Sequence, residues 1–481
     1  MRRSTTARAV LIATMLLMGT VPSLAAQAAP RACTKAMPGG DWAMYGRDYQ
    51  GTQRQDSERT IGRSNVSSLT LRWKTPDTGY QSPPPIVSGG CVFINTNGHI
   101  VAYDLETGRV IWTSQGADTL GTFAVTVVNG RVHVGLNNNG HPQAAAFDVS
   151  TGKLLWKSAE IYFGYPTTQQ SSAVVFEGVQ VLFTTGPDND PQAMQGYGLI
   201  DAATGKVLYK STTVPAKDIA NGYHGGGVWG TPTIDPVTKY LYVGTSNPES
   251  KTKEHAYDDA IIKMDLDRRR PTFGHIVASH KGTPDSITGY DNPVCQTVGG
   301  TLWYNASVYG ASATCGQLDV DFGNGPTLWR NAQGRLMGAA TQKSGWVHIF
   351  YADTMTTAWD KQLFPSMSFV GGNIGRIGTD GHTLYVPFNP GVIYAFDAQT
   401  GAEKWRTVLP GVPTTGGNVA LANGVAYYVT EQGAVALDTS TGKQLWSAPF
   451  SPGAKIGSAV AIAGHRLVVN DYGSIQMFEL G

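Results

Sequence analysis

Four cysteines have the most specific chemistry in this 481-residue chain, since a cysteine can bind a metal, attack a substrate or form a disulfide. They are Cys33, Cys91, Cys295 and Cys315, and the absence of both a Cys-x-x-Cys pair and a paired histidine spacing disfavours a Cys/His metal site. An even number of cysteines in an oxidising compartment predicts two disulfides, for which three pairings exist. We expect Cys295 to pair with Cys315 across one loop, and Cys33 to pair with Cys91.

The amino terminus indicates that the chain reaches such a compartment. Residues 1–28 have the pattern of a secretory signal peptide, with three arginines before the apolar run 9–18 and small residues at 26 and 28 for cleavage. The apolar run is shorter than the roughly 18 residues of a membrane-spanning helix, so we expect no stable membrane insertion. The general secretory route is favoured over twin-arginine export. The predicted location is secreted or extracytoplasmic.

Composition excludes one class of partner. The formal net charge is +1 and charged residues make up 15% of the chain, which gives no reason to expect a nucleic acid. The 59 glycines and 26 prolines are typical of many short strands joined by turns.

A nine-residue repeat organises these strands. The pattern Asp-x-x-Thr-Gly-x-x-x-Trp occurs at 104–112, 148–156, 397–405 and 438–446, and at 201–209 with tyrosine in the last position. An alternating apolar strand precedes it. The threonine and glycine predict a tight turn capped by the aspartate, and the tryptophan is expected to pack against the neighbouring repeat.

Repeat tryptophans recur at intervals of 41 to 46 residues, which suits a four-stranded propeller blade. The sequence therefore predicts an all-β fold, an eight-bladed β-propeller over residues 68–481. Residues 29–67 form an N-terminal arm. The strand that ends in Trp73 lacks its own repeat, and the last blade is one strand short, so this strand is expected to close the ring. The expected blades span 82–113, 121–157, 170–210, 227–279, 318–360, 366–406, 412–447, and 455–481 together with the N-terminal strand.

A long insertion interrupts the repeats at residues 280–317, between the fourth and fifth blades. It contains Cys295 and Cys315. Loops of this length in a compact fold are usually functional or disordered, and a disulfide between these cysteines would argue against disorder.

Several short motifs occur in order along the chain. They lie at 42–48, 65–73, 225–230 (Gly-Gly-Gly-Val-Trp-Gly), 244–248 (Gly-Thr-Ser-Asn-Pro), 321–323 (Asp-Phe-Gly) and 342–345 (Gln-Lys-Ser-Gly). Together with the repeats they resemble quinoprotein alcohol dehydrogenases, and in particular their polyvinyl-alcohol-dehydrogenase-like branch. The resemblance covers nearly all of the chain after residue 28.

The resemblance implies a site for pyrroloquinoline quinone and calcium at the propeller axis. It places Trp229 under the quinone ring, Asn247 on the calcium as an amide oxygen ligand, and Lys343 near the quinone oxygens. Asn373 would be a further polar contact with the cofactor. Lys343 is informative in itself, because lysine is seldom buried unless it is paired.

The base that accepts the alcohol proton is less clearly indicated. Asp285 is the first candidate and Asp291 the second. Asp188, or else Asp190, could replace the family's calcium-binding glutamate. The family's first-blade glutamate falls here at Ser82, and its vicinal cysteine pair is absent.

Two functions follow. The first is an exported oxidoreductase that oxidises a small or polymeric alcohol with pyrroloquinoline quinone and passes electrons to a separate acceptor, since no Cys-x-x-Cys-His haem motif is present. The second is a non-catalytic propeller that keeps the blades and acts as a binding or assembly scaffold.

Overall fold

Short antiparallel strands account for nearly all regular structure in the computed structural model. The described residues are 32–76, 84–96, 98–116, 118–119, 123–187, 192–249, 253–282, 321–363, 375–388, 391–409, 417–430, 432–450, 459–471 and 473–481, with the backbone of 297–298 and 301–302. Helical structure among them is limited to α1 (Ala216–Ile219) and two 3₁₀ turns, Val66–Ser68 and Asn138–Gly140. In this part of the chain no helix has the length and apolarity needed to cross a bilayer.

The first strand, β1 (Leu69–Lys74), follows the N-terminal arm. Blades 1 to 4 then follow in chain order, each a four-stranded sheet numbered from its innermost strand outward. Blade 1 has β2 (Ile86–Ser88), β3 (Cys91–Thr96), β4 (His99–Asp104) and β5 (Val110–Thr113); blade 2 has β6 (Thr126–Val128), β7 (Arg131–Leu136), β8 (Gln143–Asp148) and β9 (Leu154–Lys157); blade 3 has β10 (Val174–Phe176), β11 (Val179–Phe183), β12 (Gly196–Asp201) and β13 (Val207–Thr212); blade 4 has β14 (Thr233–Asp235), β15 (Tyr240–Gly244), β16 (Ala260–Asp265) and β17 (Ile276–Lys281).

A two-stranded ribbon, β18 (Thr297–Val298) and β19 (Thr301–Leu302), lies within the predicted insertion, and β17 extends two residues into that insertion. Blades 5 to 8 complete the chain. Blade 5 has β20 (Thr327–Arg330), β21 (Leu336–Thr341), β22 (Trp346–Tyr351) and β23 (Thr356–Gln362); blade 6 has β24 (Gly378–Thr379), β25 (Thr383–Phe388), β26 (Val392–Asp397) and β27 (Glu403–Val408); blade 7 has β28 (Ala420–Ala422), β29 (Val425–Thr430), β30 (Gly433–Asp438) and β31 (Gln444–Pro449); blade 8 has β32 (Val460–Ala463), β33 (Arg466–Asn470) and β34 (Ile475–Leu480).

The N-terminal strand closes the ring. Strand β1 pairs antiparallel with β34 as the outermost strand of blade 8, so the order there is β32-β33-β34-β1. The innermost strands also contact around the ring, including β32 of the last blade with β2 of the first. The predicted eight-bladed propeller and its closure by this strand are therefore confirmed.

The repeated aspartate caps its turn, as the sequence predicts. In blade 6, Asp397 Oδ1 accepts hydrogen bonds from the backbone N–H and the hydroxyl of Thr400, both at 3.0 Å. These bonds hold the pKa of the Asp397 carboxyl below its usual value, with the Thr400 N–H contributing most. The turn closes through the Gly401 N–H, which donates to the Asp397 carbonyl at 2.9 Å.

The aromatic residue of most repeats packs on the turn glycine of the next blade. A Cβ built on Gly152 would lie 2.4 Å from the Trp112 ring, and one on Gly442 would lie 2.5 Å from the Trp405 ring. The same indole often donates to the next blade's backbone: Trp112 Nε1 bonds the carbonyl of Val149 at 3.0 Å. The turn glycine is thus required both by its positive φ and by the tryptophan above it.

An indole hydrogen bond of the same kind joins blade 8 to its neighbour on either side. Trp73 Nε1 donates to the Leu105 carbonyl of blade 1 at 2.8 Å, and Trp446 Nε1 donates to the Leu69 carbonyl of β1 at 3.1 Å. Blade 4 lacks the Thr-Gly pair after Asp265, yet Gly274 takes the glycine position beneath the Tyr209 ring.

The N-terminal arm is joined covalently to blade 1. A disulfide links Cys33 and Cys91, as predicted. Cys295 and Cys315 lie outside the described residues, so their pairing stays a prediction. Trp42 of the arm also exchanges backbone hydrogen bonds with Val87 of β2, which anchors the arm along the blade.

Substituting the turn glycine should cost more stability than substituting an unconfined glycine of the same conformation. Gly152 has φ +67° and lies beneath Trp112, whereas Gly130 in the same blade has φ +72° and no atom within 4 Å of a built Cβ. Gly130→Ala should cost about 1 kcal/mol for its left-handed backbone. Gly152→Ala should cost a further 1–3 kcal/mol, roughly, from overpacking. Equal losses in urea unfolding would contradict the interblade lock.

Burial of His133 between blades 2 and 3 makes stability depend on pH. Its side chain is 1% exposed, and its Nδ1 donates to Gln180 Oε1 at 2.9 Å, because Gln180 uses its Nε2 to donate to the Val134 carbonyl. Burial lowers the pKa of His133 to about 4. The unfolded chain, with an ordinary histidine pKa, therefore binds the extra proton first as the pH falls.

Stability from this neutral histidine should be complete above about pH 6.5 and be lost as the pH falls toward 4. When the pH falls from about 7.5 to 4.5, the free energy of unfolding of wild type should drop by about 2–3 kcal/mol more than that of His133→Asn. The asparagine keeps an N–H donor for Gln180. Urea unfolding at several pH values measures this difference. The control is His382→Asn, at an exposed histidine of blade 6, whose free energy of unfolding should change with pH as that of wild type does. If the difference in stability between wild type and His133→Asn is the same at every pH, the assignment is wrong.

Candidate functional site at the junction of blades 4 and 5

The segment that carries Trp229 is placed by three consecutive glycines. A Cβ on Gly225, which has φ +94°, would lie 2.1 Å from the carbonyl oxygen of Asn247, and one on Gly227 would lie 1.6 Å from Gln195 Oε1. Only glycine can pass this close to the segment after β15. The chain then brings the half-buried Trp229 indole against Asp321, in the segment that leads into blade 5.

Trp229 and Lys343 meet on one carboxylate, that of Asp321. The indole Nε1 donates to Asp321 Oδ2 at 2.9 Å, and Lys343 Nζ lies 3.2 Å from the same oxygen. The ammonium also lies 4.8 Å from the centre of the Trp229 ring. The side chains of Lys343 and Asp321 are 12% and 8% exposed, so this ion pair is largely shielded from water.

Backbone contacts fix both members of the pair. Lys343 lies in the turn between β21 and β22, where the Gly345 N–H donates to the Gln342 carbonyl at 3.0 Å and Gly345 has φ +83°. The Lys343 N–H donates to the Asp321 carbonyl at 3.1 Å. The hairpin turn of blade 5 therefore holds the backbone of Asp321 in place.

These three side chains open onto a cavity of about 570 Å³. Its other walls are mainly small and hydroxyl-bearing residues from blades 2 and 3. They are Gly140, Pro166, Thr167, Thr168, Gln170, Thr185, Gly186 and Pro187. The volume is in the range of small-molecule sites. The wall offers the Trp229 indole face and the Lys343 ammonium beside the Asp321 carboxylate.

Asn247 lies behind the glycine segment. It is 2% exposed, and its carbonyl accepts the Gly226 N–H at 3.3 Å. The buried Asp258 lies nearby, with Oδ1 at 3.5 Å from a Cβ built on Gly226. Burial raises the pKa of the Asp258 carboxyl well above its usual range, although the His255 N–H and Lys281 act in the opposite direction.

The predicted residues thus divide into two groups. The structure brings Trp229 and Lys343 together at one cavity and places Asn247 next to the segment that carries Trp229. Asp188, Asp285, Asp291 and Asn373 lie outside the described residues, so their roles stay predictions.

Asp321 is a residue of this site that the sequence interpretation did not single out. The motif Asp-Phe-Gly at 321–323 had marked it only as part of a family pattern. The available signal was a carboxylate in a family motif, 22 positions before Lys343. The sequence could not predict that this carboxylate contacts both Lys343 and Trp229.

Comparison with known proteins agrees with this architecture. The family model described as outer membrane protein assembly factor BamB, which is built of PQQ-like repeats, matches residues 55–283 and 389–480. A polyvinylalcohol dehydrogenase of Pseudomonas sp is 24% identical over 477 residues, covering 85% of this chain and 69% of that protein. The dehydrogenase subunit of an alcohol dehydrogenase (quinone) of Gluconacetobacter polyoxogenes is 26% identical over 291 residues, covering 51% of this chain and 39% of that protein.

A solved structure shares the fold. The quinohemoprotein alcohol dehydrogenase of Comamonas testosteroni superposes with a TM-score of 0.71 at 17% identity, covering 92% of this chain and 80% of that one.

The shielded pair should show a measurable coupling. In a double-mutant cycle of Lys343→Met and Asp321→Asn, the free energy of unfolding should reveal a coupling of about 1–3 kcal/mol, because each single change leaves a buried partner charge or dipole unmatched. Arg335→Met with Asp353→Asn, an exposed pair in the same blade whose side chains are 37% and 51% exposed, should couple by less than about 1 kcal/mol. Equal coupling in the two cycles would show that Lys343 and Asp321 do not form a persistent pair.

Proposed function

This chain belongs to the PQQ-like repeat family of β-propellers, and from that premise we propose that it is an oxidoreductase that oxidises an alcohol with pyrroloquinoline quinone. The observation that carries the proposal is the carboxylate of Asp321, held between the Trp229 indole and the Lys343 ammonium at the cavity. The relatives named as polyvinylalcohol dehydrogenase and alcohol dehydrogenase (quinone) support the reaction class.

The residues of the cavity suit a flat, anionic quinone. Trp229 offers an aromatic face on which a planar ring can stack, and Lys343 offers the cation that its oxygens and carboxylates require. The Thr167 hydroxyl lines the cavity, is buried, and makes no hydrogen bond with the described residues. A buried hydroxyl without a partner is costly, so a polar ligand at this wall would satisfy it.

Asp321 is the proton acceptor in this proposal. Its Oδ2 would take the hydroxyl proton of the alcohol, while the Lys343 ammonium would stabilise the negative charge that develops on the alcohol oxygen. The Trp229 N–H fixes the carboxylate orientation through its bond to the same oxygen. Pyrroloquinoline quinone, when bound, would be the acceptor of the two electrons and the hydrogen that leave the alcohol carbon.

The remaining assignments extend the proposal. Asn247 and Asp188 would supply oxygen ligands to a calcium ion, which prefers such hard donors, and Asn373 would contact the quinone. Asp285 and Asp291 remain further candidates for the base. We also propose that the chain is exported by its 1–28 signal peptide and passes electrons to a separate acceptor.

Asp321→Asn tests the proposal directly. Purified wild type, supplied with pyrroloquinoline quinone and Ca²⁺, should oxidise an alcohol with an artificial dye as acceptor; ethanol and poly(vinyl alcohol) are the substrates to compare. Asp321→Asn should lower kcat at least about 100-fold, because an amide cannot accept the proton. Quinone binding, followed by quenching of tryptophan fluorescence, should change much less, since the variant keeps Trp229 and Lys343.

Asp353→Asn is the matched control, since Asp353 forms a surface pair with Arg335 in the same blade; it should retain full activity. Failure of wild type to bind the quinone would reject the enzyme proposal and favour the scaffold function, to which the assembly-factor description of the family model points. An active wild type whose Asp321→Asn variant keeps its kcat would leave the enzyme proposal standing and reject Asp321 as the base.

A further inference from the structure

A second cluster of chemically competent side chains lies between blades 4 and 5, in a part of the interface that the proposed oxidation does not use. His280 comes from β17, and His348 and Asp360 from the paired strands β22 and β23. One ligand atom from each of the three lies within 4.8 Å of the other two. Both imidazoles are buried, at 4% and 3% exposure, whereas the Asp360 side chain is 28% exposed.

Hydrogen bonds on the far side of each ring fix which nitrogens face the cluster. His280 Nδ1 lies 3.1 Å from the Met355 carbonyl, and His348 Nε2 lies 3.0 Å from Gln342 Oε1. Both partners are oxygens that can only accept, so these two nitrogens carry the protons. His280 Nε2 and His348 Nδ1 are then left with lone pairs, and neither forms a hydrogen bond with the described residues.

The inward atoms are therefore all electron-pair donors. His348 Nδ1 lies 3.5 Å from Asp360 Oδ1, too far for a good hydrogen bond. This distance is close to the roughly 3.3 Å between two ligand atoms of a tetrahedral zinc ion at ordinary bond lengths. Without a cation, a lone pair and a carboxylate would face each other in a buried place.

We propose that His280, His348 and Asp360 form a binding site for a divalent transition metal, of which zinc is the best match, that joins blades 4 and 5. Two neutral imidazoles and one carboxylate are donors typical of zinc and unlike the all-oxygen sets of calcium. A metal-bound imidazole usually donates its other N–H to an oxygen, as both rings do here. The exposed side of Asp360 leaves room for a water ligand and for entry of the ion.

The surrounding packing holds the rings in place for this role. The His280 ring stacks on Phe350 with centroids 4.9 Å apart, and the His348 ring lies 5.3 Å from that of Phe322. Phe322 belongs to the lead-in to blade 5, and its N–H donates to the Thr245 carbonyl of blade 4 at 3.3 Å. An ion here would thus reinforce an interface that already joins the two blades through backbone and apolar contacts.

Metal uptake by the full chain tests the site. Untagged, unreduced protein is dialysed against a chelator, given Zn²⁺ or Co²⁺, desalted, and analysed for bound metal by mass spectrometry. We expect one ion per chain, cobalt absorption of a four-coordinate site, and a rise in Tm with Zn²⁺ that excess Ca²⁺ does not prevent. Asp360→Asn, chosen because Asp360 is partly exposed and the change conserves shape, should weaken zinc affinity at least tenfold and remove the rise in Tm.

His280→Gln should lose the ion as well, and His382→Gln, at an exposed histidine of blade 6, should keep it. Zinc uptake that is the same in Asp360→Asn and His280→Gln as in wild type would overturn the site. So would a wild type that takes up no zinc, in which case a proton on His348 Nδ1, paired with Asp360, occupies the position instead. These outcomes do not depend on whether the chain binds a quinone.

Discussion

The ring depends on one repeated contact, that of an aromatic side chain of one blade on the turn glycine of the next. Trp112 over Gly152 and Trp405 over Gly442 show it in regular blades, and Tyr209 over Gly274 shows it where the sequence pattern is broken. A sheet four strands wide cannot bury both faces alone, so each blade needs its neighbours. The contact recurs around the ring and crosses the closure where Trp73 packs on Gly108 of blade 1, whereas Trp446 joins blade 7 to β1 through an indole hydrogen bond to the Leu69 carbonyl.

The rigidity of this ring is what allows distant residues to share a cavity. Trp229, Asp321 and Lys343 lie in the lead-in to blade 4, the lead-in to blade 5 and a hairpin of blade 5, and none of them belongs to a strand. Each is held by a local constraint instead: three glycines that pass against Asn247 and Gln195, a backbone bond between Lys343 and Asp321, and a positive-φ glycine at 345. Loops fixed on a stiff scaffold are where binding residues commonly lie.

The repeated blades could be predicted from the sequence, whereas most contacts that occur only once in the structure could not. A pattern written several times reveals the blades, their number and the strand that closes them, and Cys33 with Cys91 followed from parity and position. Trp229 and Lys343 came from family motifs and proved to be neighbours. Asp321 was not recognised as the carboxylate of this site, because the chain offers many aspartates and only the fold decides which one meets a lysine. His280, His348 and Asp360 escaped notice for the same reason, since the two histidines lie 68 positions apart in the sequence.

The two sites are joined by a single turn, and this constrains how they can behave. Gln342 accepts the hydrogen bond of His348, and Lys343, the next residue, holds Asp321. The Ser344 hydroxyl also donates to Gln342 Oε1 at 2.6 Å, so that oxygen is engaged twice. An ion on His348 would favour the tautomer that donates to Gln342 and so keep this turn in its present conformation. A protonated His348 would make the same bond to Gln342 but exchange the ion for a pair with Asp360 alone. In both states the turn that carries Lys343 is supported from the interface of blades 4 and 5, so that interface and the Asp321 carboxylate at the cavity together position the Lys343 ammonium.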